Sequence, residues 1–201
     1  MASMVQSRCV QYAGGRVAMR RALQSLGVDA DTPVLPNSLG APVIRATDAL
    51  GSISHTQGLA VAVACTPSQA VALASAPGMA VGVDVERAER IVSPRLATRC
   101  LHEDERRALG PIPTAGPTTD WSAGLLLRLS LKEALYKALH PLVQAPIRWH
   151  SVQVLPEADG SVGVRLQDLE QAASVQLGVQ ARWALVDGYY VSTALAYERT
   201  D

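Results

Sequence analysis

Two Asp-Gly pairs in the last quarter of the chain constrain its fold most. Asp159-Gly160 interrupts SVQVLPEADGSVGVRLQ, and Asp187-Gly188 interrupts VQARWALVDGYYVSTALAYE. A two-residue hairpin turn needs positive φ at its central positions, which Asp and Gly tolerate, and the flanking runs carry strand-forming residues. The C-terminal part is therefore expected to form antiparallel hairpins. Further strands are expected at residues 59–65, 70–75 and 79–86. A helix is expected over 16–26, where Val17, Leu23 and Leu26 recur among polar positions and Gly27 supplies the stop. The stretch TPVLPNSLGAPVI reads as loop, residues 95–109 as a helix charged on one side, and GPIPTAGPTT as a connector. A second helix should begin with Asp120 as N-cap and end before Pro141.

A length of 201 residues, 48% hydrophobic and 18% charged, fits a globular chain of one domain or two small lobes. The 18 basic and 18 acidic side chains cancel, which argues against a general nucleic-acid binder. Three scattered cysteines, Cys9, Cys65 and Cys100, suit neither a disulfide framework nor a zinc site and fit a reducing compartment. With no signal-like or membrane-spanning apolar run, the expected location is cytoplasmic. Within the basic set, 16 residues are Arg and only Lys132 and Lys137 are Lys. The sum of zero also hides an asymmetry, because residues 1–100 hold nine basic against six acidic side chains and residues 101–201 hold nine against twelve.

Four clusters carry possible chemistry. In Gly82-Val83-Asp84-Val85-Glu86, a strand would project both carboxylates to one side. Such a pair suits Mg²⁺, or alternatively an edge strand entering solvent with Arg87 and Arg90 nearby. In Ser130-Leu131-Lys132-Glu133-Ala134-Leu135-Tyr136-Lys137, helical spacing puts Glu133 and Lys137 on one face. That is either a surface ion pair or a reason for Lys itself, a compact charge suited to phosphate oxygens. In Gly51-Ser52-Ile53-Ser54-His55-Thr56-Gln57-Gly58, His55 either bonds backbone in a turn or joins Ser54 on a phosphate. Arg16 and Arg20 share a helix face, by default a solvated one. There is no G-x-S-x-G elbow and no H-E-x-x-H pair.

The order SxSHxxG, GxDxE and KExxxK resembles the 4′-phosphopantetheinyl transferases, in particular the larger, monomeric, two-lobed type that includes the surfactin and enterobactin enzymes. The resemblance extends to Arg16-Val17-Ala18-Met19-Arg20-Arg21-Ala22-Leu23 and covers roughly residues 14–140. It implies an α+β fold of two pseudo-symmetric lobes, each a helix on a small, mainly antiparallel sheet, which we place at residues 1–88 and 89–201. It implies transfer of the phosphopantetheine arm of coenzyme A to a serine of an apo acyl or peptidyl carrier protein, with release of adenosine 3′,5′-bisphosphate and a requirement for Mg²⁺. Fatty-acid, polyketide and nonribosomal peptide carriers are all compatible, with no nucleic acid or membrane among the partners. By the same resemblance, Asp84, Glu86 and Glu133 hold the metal, and Glu133 or a metal-held water takes the serine proton. Lys137 neutralises the departing α-phosphate, Arg16, Arg20 and His55 hold the 3′-phosphate, and Ser54 lies at a phosphate. Lys132, off the Glu133–Lys137 face, is expected at the rim.

Three features depart from the family pattern. Leu129 stands where an aromatic is common, Gly40-Ala41-Pro42-Val43-Ile44-Arg45 stands where Gly-x-Pro-x-Trp-Pro is common, and Leu39 replaces a frequent phosphate-binding Lys, so that either Arg45 substitutes for it or coenzyme binding is looser. Two other readings compete: a carrier or coenzyme binder without catalysis, and a Mg²⁺-dependent nuclease. The nuclease needs Glu-x-Lys on a strand and a basic footprint, neither of which this sequence offers.

Overall fold

The computed structural model describes residues 2–29, 33–37, 40–44, 48–66, 78–114, 116–167 and 176–199. Along the chain these form α1 (Ala2–Ser25), β1 (Val34–Pro36), β2 (Pro42–Ile44), β3 (Leu50–Thr56), β4 (Leu59–Cys65) and β5 (Met79–Arg87). Then come α2 (Arg95–Cys100), α3 (Glu103–Leu109), α4 (Thr119–Val143), a short 3-10 turn (Trp149–Ser151), β6 (Val152–Pro156), β7 (Val162–Leu166), β8 (Leu177–Val186) and β9 (Tyr189–Glu198). The expected strand at 70–75 lies outside the described residues, as do Leu39 and Arg45.

Both Asp-Gly turns close hairpins. Asp187 and Gly188 take φ of 49° and 79°, the left-handed pair that a type I′ turn requires, and join β8 to β9 in register from Val186 opposite Tyr189. β6 and β7 pair around Asp159-Gly160, where Asp159 Oδ1 accepts from both the N–H and the hydroxyl of Ser161. The sequence 32–44, expected as loop, contains the short antiparallel ribbon β1–β2. Residues 50–56, which alternate polar and apolar too weakly to stand out, form β3 and pair with β4 across Gln57-Gly58.

The helices differ from expectation at their ends. α1 begins at Ala2 rather than near residue 16. Residues 95–109 are two helices, because Leu101 is extended and His102 starts a new cap. His102 Nδ1 accepts from Asp104 N–H, and the Glu105 carboxylate accepts from His102 N–H at 2.6 Å, which makes a capping box. In α4 the N-cap is Thr118, whose hydroxyl accepts from Trp121 N–H, so Asp120 falls inside the first turn. The same helix continues through Pro141 to Val143. Proline forfeits only the bond to the Lys137 carbonyl, and so near the end few later bonds are disturbed. Gln144 then closes the helix in the left-handed region, donating to the His140 carbonyl at 2.9 Å.

Packing produces an α+β fold of helices on small antiparallel sheets. α4 lies across the sheet β5–β9–β8 and buries Leu131, Ala134, Leu135, Ala138 and Leu139 against Ala181, Ala194, Ala196 and the inner side of β6. α1 covers the β3–β4 hairpin through Met19 and Leu23, with Ile44 completing that smaller core. Gly51 and Gly15 permit this contact, since a Cβ on either would come within 2.7 Å of Met19 or Ile53. β5 is hydrogen-bonded along its whole length to β9, from Met79 opposite Tyr197 to Arg87 opposite Tyr189. The strand thus shares a sheet with the C-terminal hairpin, although it precedes residue 88. No described helix is long and apolar enough to cross a membrane.

Candidate active site

β5 is an edge strand, and its exposed backbone groups determine what gathers around it. The Val83 N–H donates to Ser52 Oγ at 3.1 Å, and the Val83 carbonyl accepts from Lys137 Nζ at 2.8 Å. Side chains from β3 and α4 therefore satisfy an edge that would otherwise face water. The strand's alternation puts Gly82, Asp84 and Glu86 on the side facing α4. Asp84 Oδ1 accepts from Ser54 Oγ at 2.8 Å and from Lys137 Nζ at 2.9 Å. The expected pairing of Glu133 with Lys137 along the helix does not form, because Lys137 reaches across to Asp84 instead.

Glu133 is left without a hydrogen bond or ion pair among the described residues. Burial pushes its carboxyl above the usual carboxylate range, the Asp84 charge adds to this, and Lys137 opposes it. Glu86 is raised in the same way, first by burial, with Arg90 opposing and Asp84 and Glu133 adding their repulsion. Its Oε1 pairs with Arg90 Nη2 at 3.0 Å. Three carboxylates thus share one electrostatic field. They do not converge on a common point, and no group of three His, Cys, Asp or Glu able to hold a metal ion occurs among the described residues. The donor chemistry still suits Mg²⁺, which binds through one or two carboxylates and completes its shell with phosphate oxygens and water. The mutual repulsion of Asp84, Glu86 and Glu133 is what a cation would relieve.

Glu133 also opens on a cavity of about 250 Å³ whose walls include Lys132, Tyr136, Arg148, Trp149 and Val152. Lys132 is a correction. It is not at the rim but almost fully buried, with Nζ 2.8 Å from Glu105 Oε2 and donating to the carbonyls of Trp149 and Val152. Burial lowers its pKa and the Glu105 charge opposes that shift. α4 is enclosed on nearly every side, so a position off the Glu133–Lys137 face meets protein rather than solvent.

The remaining candidates are dispersed. Ser54 and His55 are sequence neighbours on a strand and so face opposite ways. Ser54 is buried against Asp84, whereas His55 is exposed on the face of Ile53, toward α1. On α1, the Arg16 guanidinium stacks 3.6 Å over the Tyr12 ring, and its buried Nε has no partner among the described residues. Arg20 is exposed one turn further on. Leu129 packs at the edge of the Trp121–Leu125–Leu126 cluster, where an aromatic would also be apolar filling. Sequence reasoning missed Glu105, Trp149 and Val152. Only Glu105 carried a local signal, the capping-box spacing from His102.

A family model described as the 4′-phosphopantetheinyl transferase superfamily matches residues 80–194, and one described as the 4′-phosphopantetheinyl transferase N-terminal domain matches residues 1–65. The chain is 32% identical over 129 residues to a holo-[acyl-carrier-protein] synthase of Salinispora arenicola (strain CNS-205), a match spanning 60% of this chain and 98% of that relative. Similar solved structures include a Chronobacterium ammoniagenes ACPS–CoA complex, 22% identical with a TM-score of 0.46 over 61% of this chain and 99% of that one. Another is a holo-(acyl-carrier-protein) synthase from Bacillus anthracis str. Ames in complex with CoA (3′,5′-ADP), 15% identical with a TM-score of 0.44 over 59% and 96% of the two chains. The superfamily match spans more than half of the sequence and runs from the strand of Asp84 through the helix of Glu133 to the hairpin that backs them, and on that ground the chain belongs to the 4′-phosphopantetheinyl transferase superfamily.

Proposed function

We propose that this protein transfers the 4′-phosphopantetheine arm of coenzyme A to a serine hydroxyl of an apo carrier protein. The observation that carries the reading is the half-buried Glu133 carboxylate, without a hydrogen bond or ion pair among the described residues, set beside the Asp84–Lys137 pair and lining the cavity. Attack of the serine oxygen on the β-phosphorus forms one P–O bond and breaks the pyrophosphate bridge, so adenosine 3′,5′-bisphosphate leaves. Glu133, with its raised pKa, is suited to take the serine proton at Oε. Lys137 Nζ, fixed between the Val83 carbonyl and Asp84, offers positive charge to the departing α-phosphate. A divalent cation would be held by Asp84, Glu86 and Glu133, and when bound it supplies Lewis-acid neutralisation of the pyrophosphate charge. Arg16, Arg20 and His55 are the proposed contacts to the coenzyme 3′-phosphate, Arg16 with an Nε free to donate. The cavity beside Glu133 is the proposed place of the transferred arm.

The match of residues 1–65 to an N-terminal domain model, and the α1–β3–β4 unit it covers, support the larger, two-lobed type over a single-lobed synthase. If β5 is counted with the β5–β9–β8 sheet, so that the lobe boundary falls before residue 79 rather than after 88, the lobes meet where β3 lies along β5, through Ser52 and Ser54. The test is to incubate apo carriers from fatty-acid, polyketide and nonribosomal peptide assembly with the protein, coenzyme A and Mg²⁺. A mass increase of one phosphopantetheine on at least one carrier is expected. Coenzyme binding without any mass change across the panel would leave a non-catalytic binder.

The neighbours Ser54 and His55 should behave differently. Ser54→Ala removes a buried donor to Asp84 and is expected to cost about 1–2 kcal/mol of stability. His55→Ala, exposed, should leave thermal stability unchanged and raise KM for coenzyme A several-fold, on the order of one lost charge-assisted contact. Equal KM values for wild type and His55→Ala would remove His55 from the coenzyme site.

A further inference from the structure

We propose that the buried Lys132–Glu105 pair is a positioning device for the transfer site, holding the cavity wall that faces Glu133. The inference rests on the transferase reading above and assigns roles to two residues which that reading leaves unused. Both side chains are shut off from solvent, at 1% and 0% exposure. The Lys132 ammonium has three protons, and it meets three acceptors: Glu105 Oε2, the Trp149 carbonyl and the Val152 carbonyl. Glu105 is equally committed. Its Oε1 accepts from Val154 N–H at 2.9 Å, and its Oε2 accepts from His102 N–H. The pair therefore ties together the start of α3, the 3-10 turn, the first residues of β6 and the middle of α4.

The location gives this network its functional meaning. Trp149 and Val152, whose carbonyls Lys132 holds, are themselves walls of the cavity that Glu133 lines. Lys132 is also the residue next to Glu133 on the helix, so the wall and the base are referenced to the same turn of α4. A buried ion pair is a poor device for stability alone, since well-packed apolar side chains fill the same space without losing hydration. What the charges add is direction, because each acceptor must sit at a fixed distance from one nitrogen. An arginine would not substitute, as its planar fork cannot meet acceptors arranged around a point.

The test compares Glu105→Gln and Lys132→Met with the double variant carrying both, all in the full chain. Each single change strands a buried partner and should lower the thermal midpoint, whereas the double change removes both charges and should recover it. In the recovered double variant, kcat for carrier modification is expected to fall about tenfold or more, with KM for coenzyme A within about twofold of wild type. Backbone amide exchange over residues 147–153 should be faster than in wild type. A double variant with wild-type kcat and wild-type exchange would overturn the positioning role. Glu105→Asp guards against a double variant that fails to fold: it keeps the charge but shortens the reach, and wild-type kcat in that folded protein would likewise overturn the proposal. If wild type itself modifies no carrier, the transferase reading fails, and the exchange measurement alone decides whether the pair holds the wall.

Discussion

Replacing Glu133 with Gln should lower transfer to carrier protein by roughly 10²- to 10⁴-fold, the range that a lost general base commonly costs. Stability should not fall with it. Burial and the Asp84 charge raise the Glu133 pKa in the folded protein above its unfolded value. The folded state therefore holds that proton more tightly, and the stabilisation fades as pH rises through the folded pKa. At neutral pH the ionised carboxylate is a cost, which Gln avoids, so the thermal midpoint should stay level or rise. The same shift predicts that wild-type transfer declines on acidification from a pH above the ordinary glutamate range, and that the Gln variant loses this limb. Lys137→Ala should also abolish transfer, but with the opposite stability outcome. It leaves the Val83 carbonyl and Asp84 without their ammonium partner, at a cost of about 2–3 kcal/mol, below that of a fully buried pair because Lys137 is partly exposed. Carrier modification at the wild-type rate in either variant would show that the site lies elsewhere.

The parts of this arrangement that were legible in the sequence are those governed by local rules. Asp-Gly marks a turn because Asp and Gly tolerate positive φ, and both hairpins formed where it occurs, with both residues left-handed at Asp187-Gly188 and Gly160 alone at the other. Period two predicts that Asp84 and Glu86 share a face, and period 3.6 predicts the same of Glu133 and Lys137. Local rules do not say what covers that face. Lys132 was expected at the rim because it lies off the Glu133–Lys137 stripe, yet a helix enclosed on several sides has no rim there, and the partner that permits the burial, Glu105, comes from another helix. The choice of Lys was informative for a reason that only the structure supplies. Both lysines set one ammonium between a carboxylate and backbone carbonyls, Lys132 with Glu105, Trp149 and Val152, and Lys137 with Asp84 and Val83. The overlooked strand β3 has a similar cause. Its inward Ser52 and Ser54 serve β5 rather than an apolar core, so the alternation that marks a half-buried strand is absent.

Gly82→Ala should be the most damaging single methyl group in the protein. A Cβ at this position would lie 1.9 Å from the carbonyl oxygen of Ala134 and 3.0 Å from the backbone nitrogen of Ala138. The strand and α4 approach each other backbone to backbone here, so no side chain can rotate away to make room. Relief requires β5 to move as a unit against α4, and an overpacking cost of about 3 kcal/mol or more is expected. That corresponds to a fall in thermal midpoint of roughly 6–12 °C for a chain of this size. Gly178→Ala provides the contrast. There the added Cβ would meet only the outer ring atoms of Tyr197, at 2.2 Å for Cζ, and a side chain that can swing should reduce the cost to about 1 kcal/mol. The functional consequence also separates the two. Two residues beyond Gly82, Asp84 is held by Ser54 from β3 and Lys137 from α4, so moving the strand off the helix lengthens the contact that aligns Lys137 with the carboxylates. Transfer by Gly82→Ala, measured well below its midpoint, should therefore fall by about 10²-fold, the scale of an ångström-size misplacement. Full activity with a lowered midpoint would mean that the close approach serves packing and that the carboxylate positions do not depend on it.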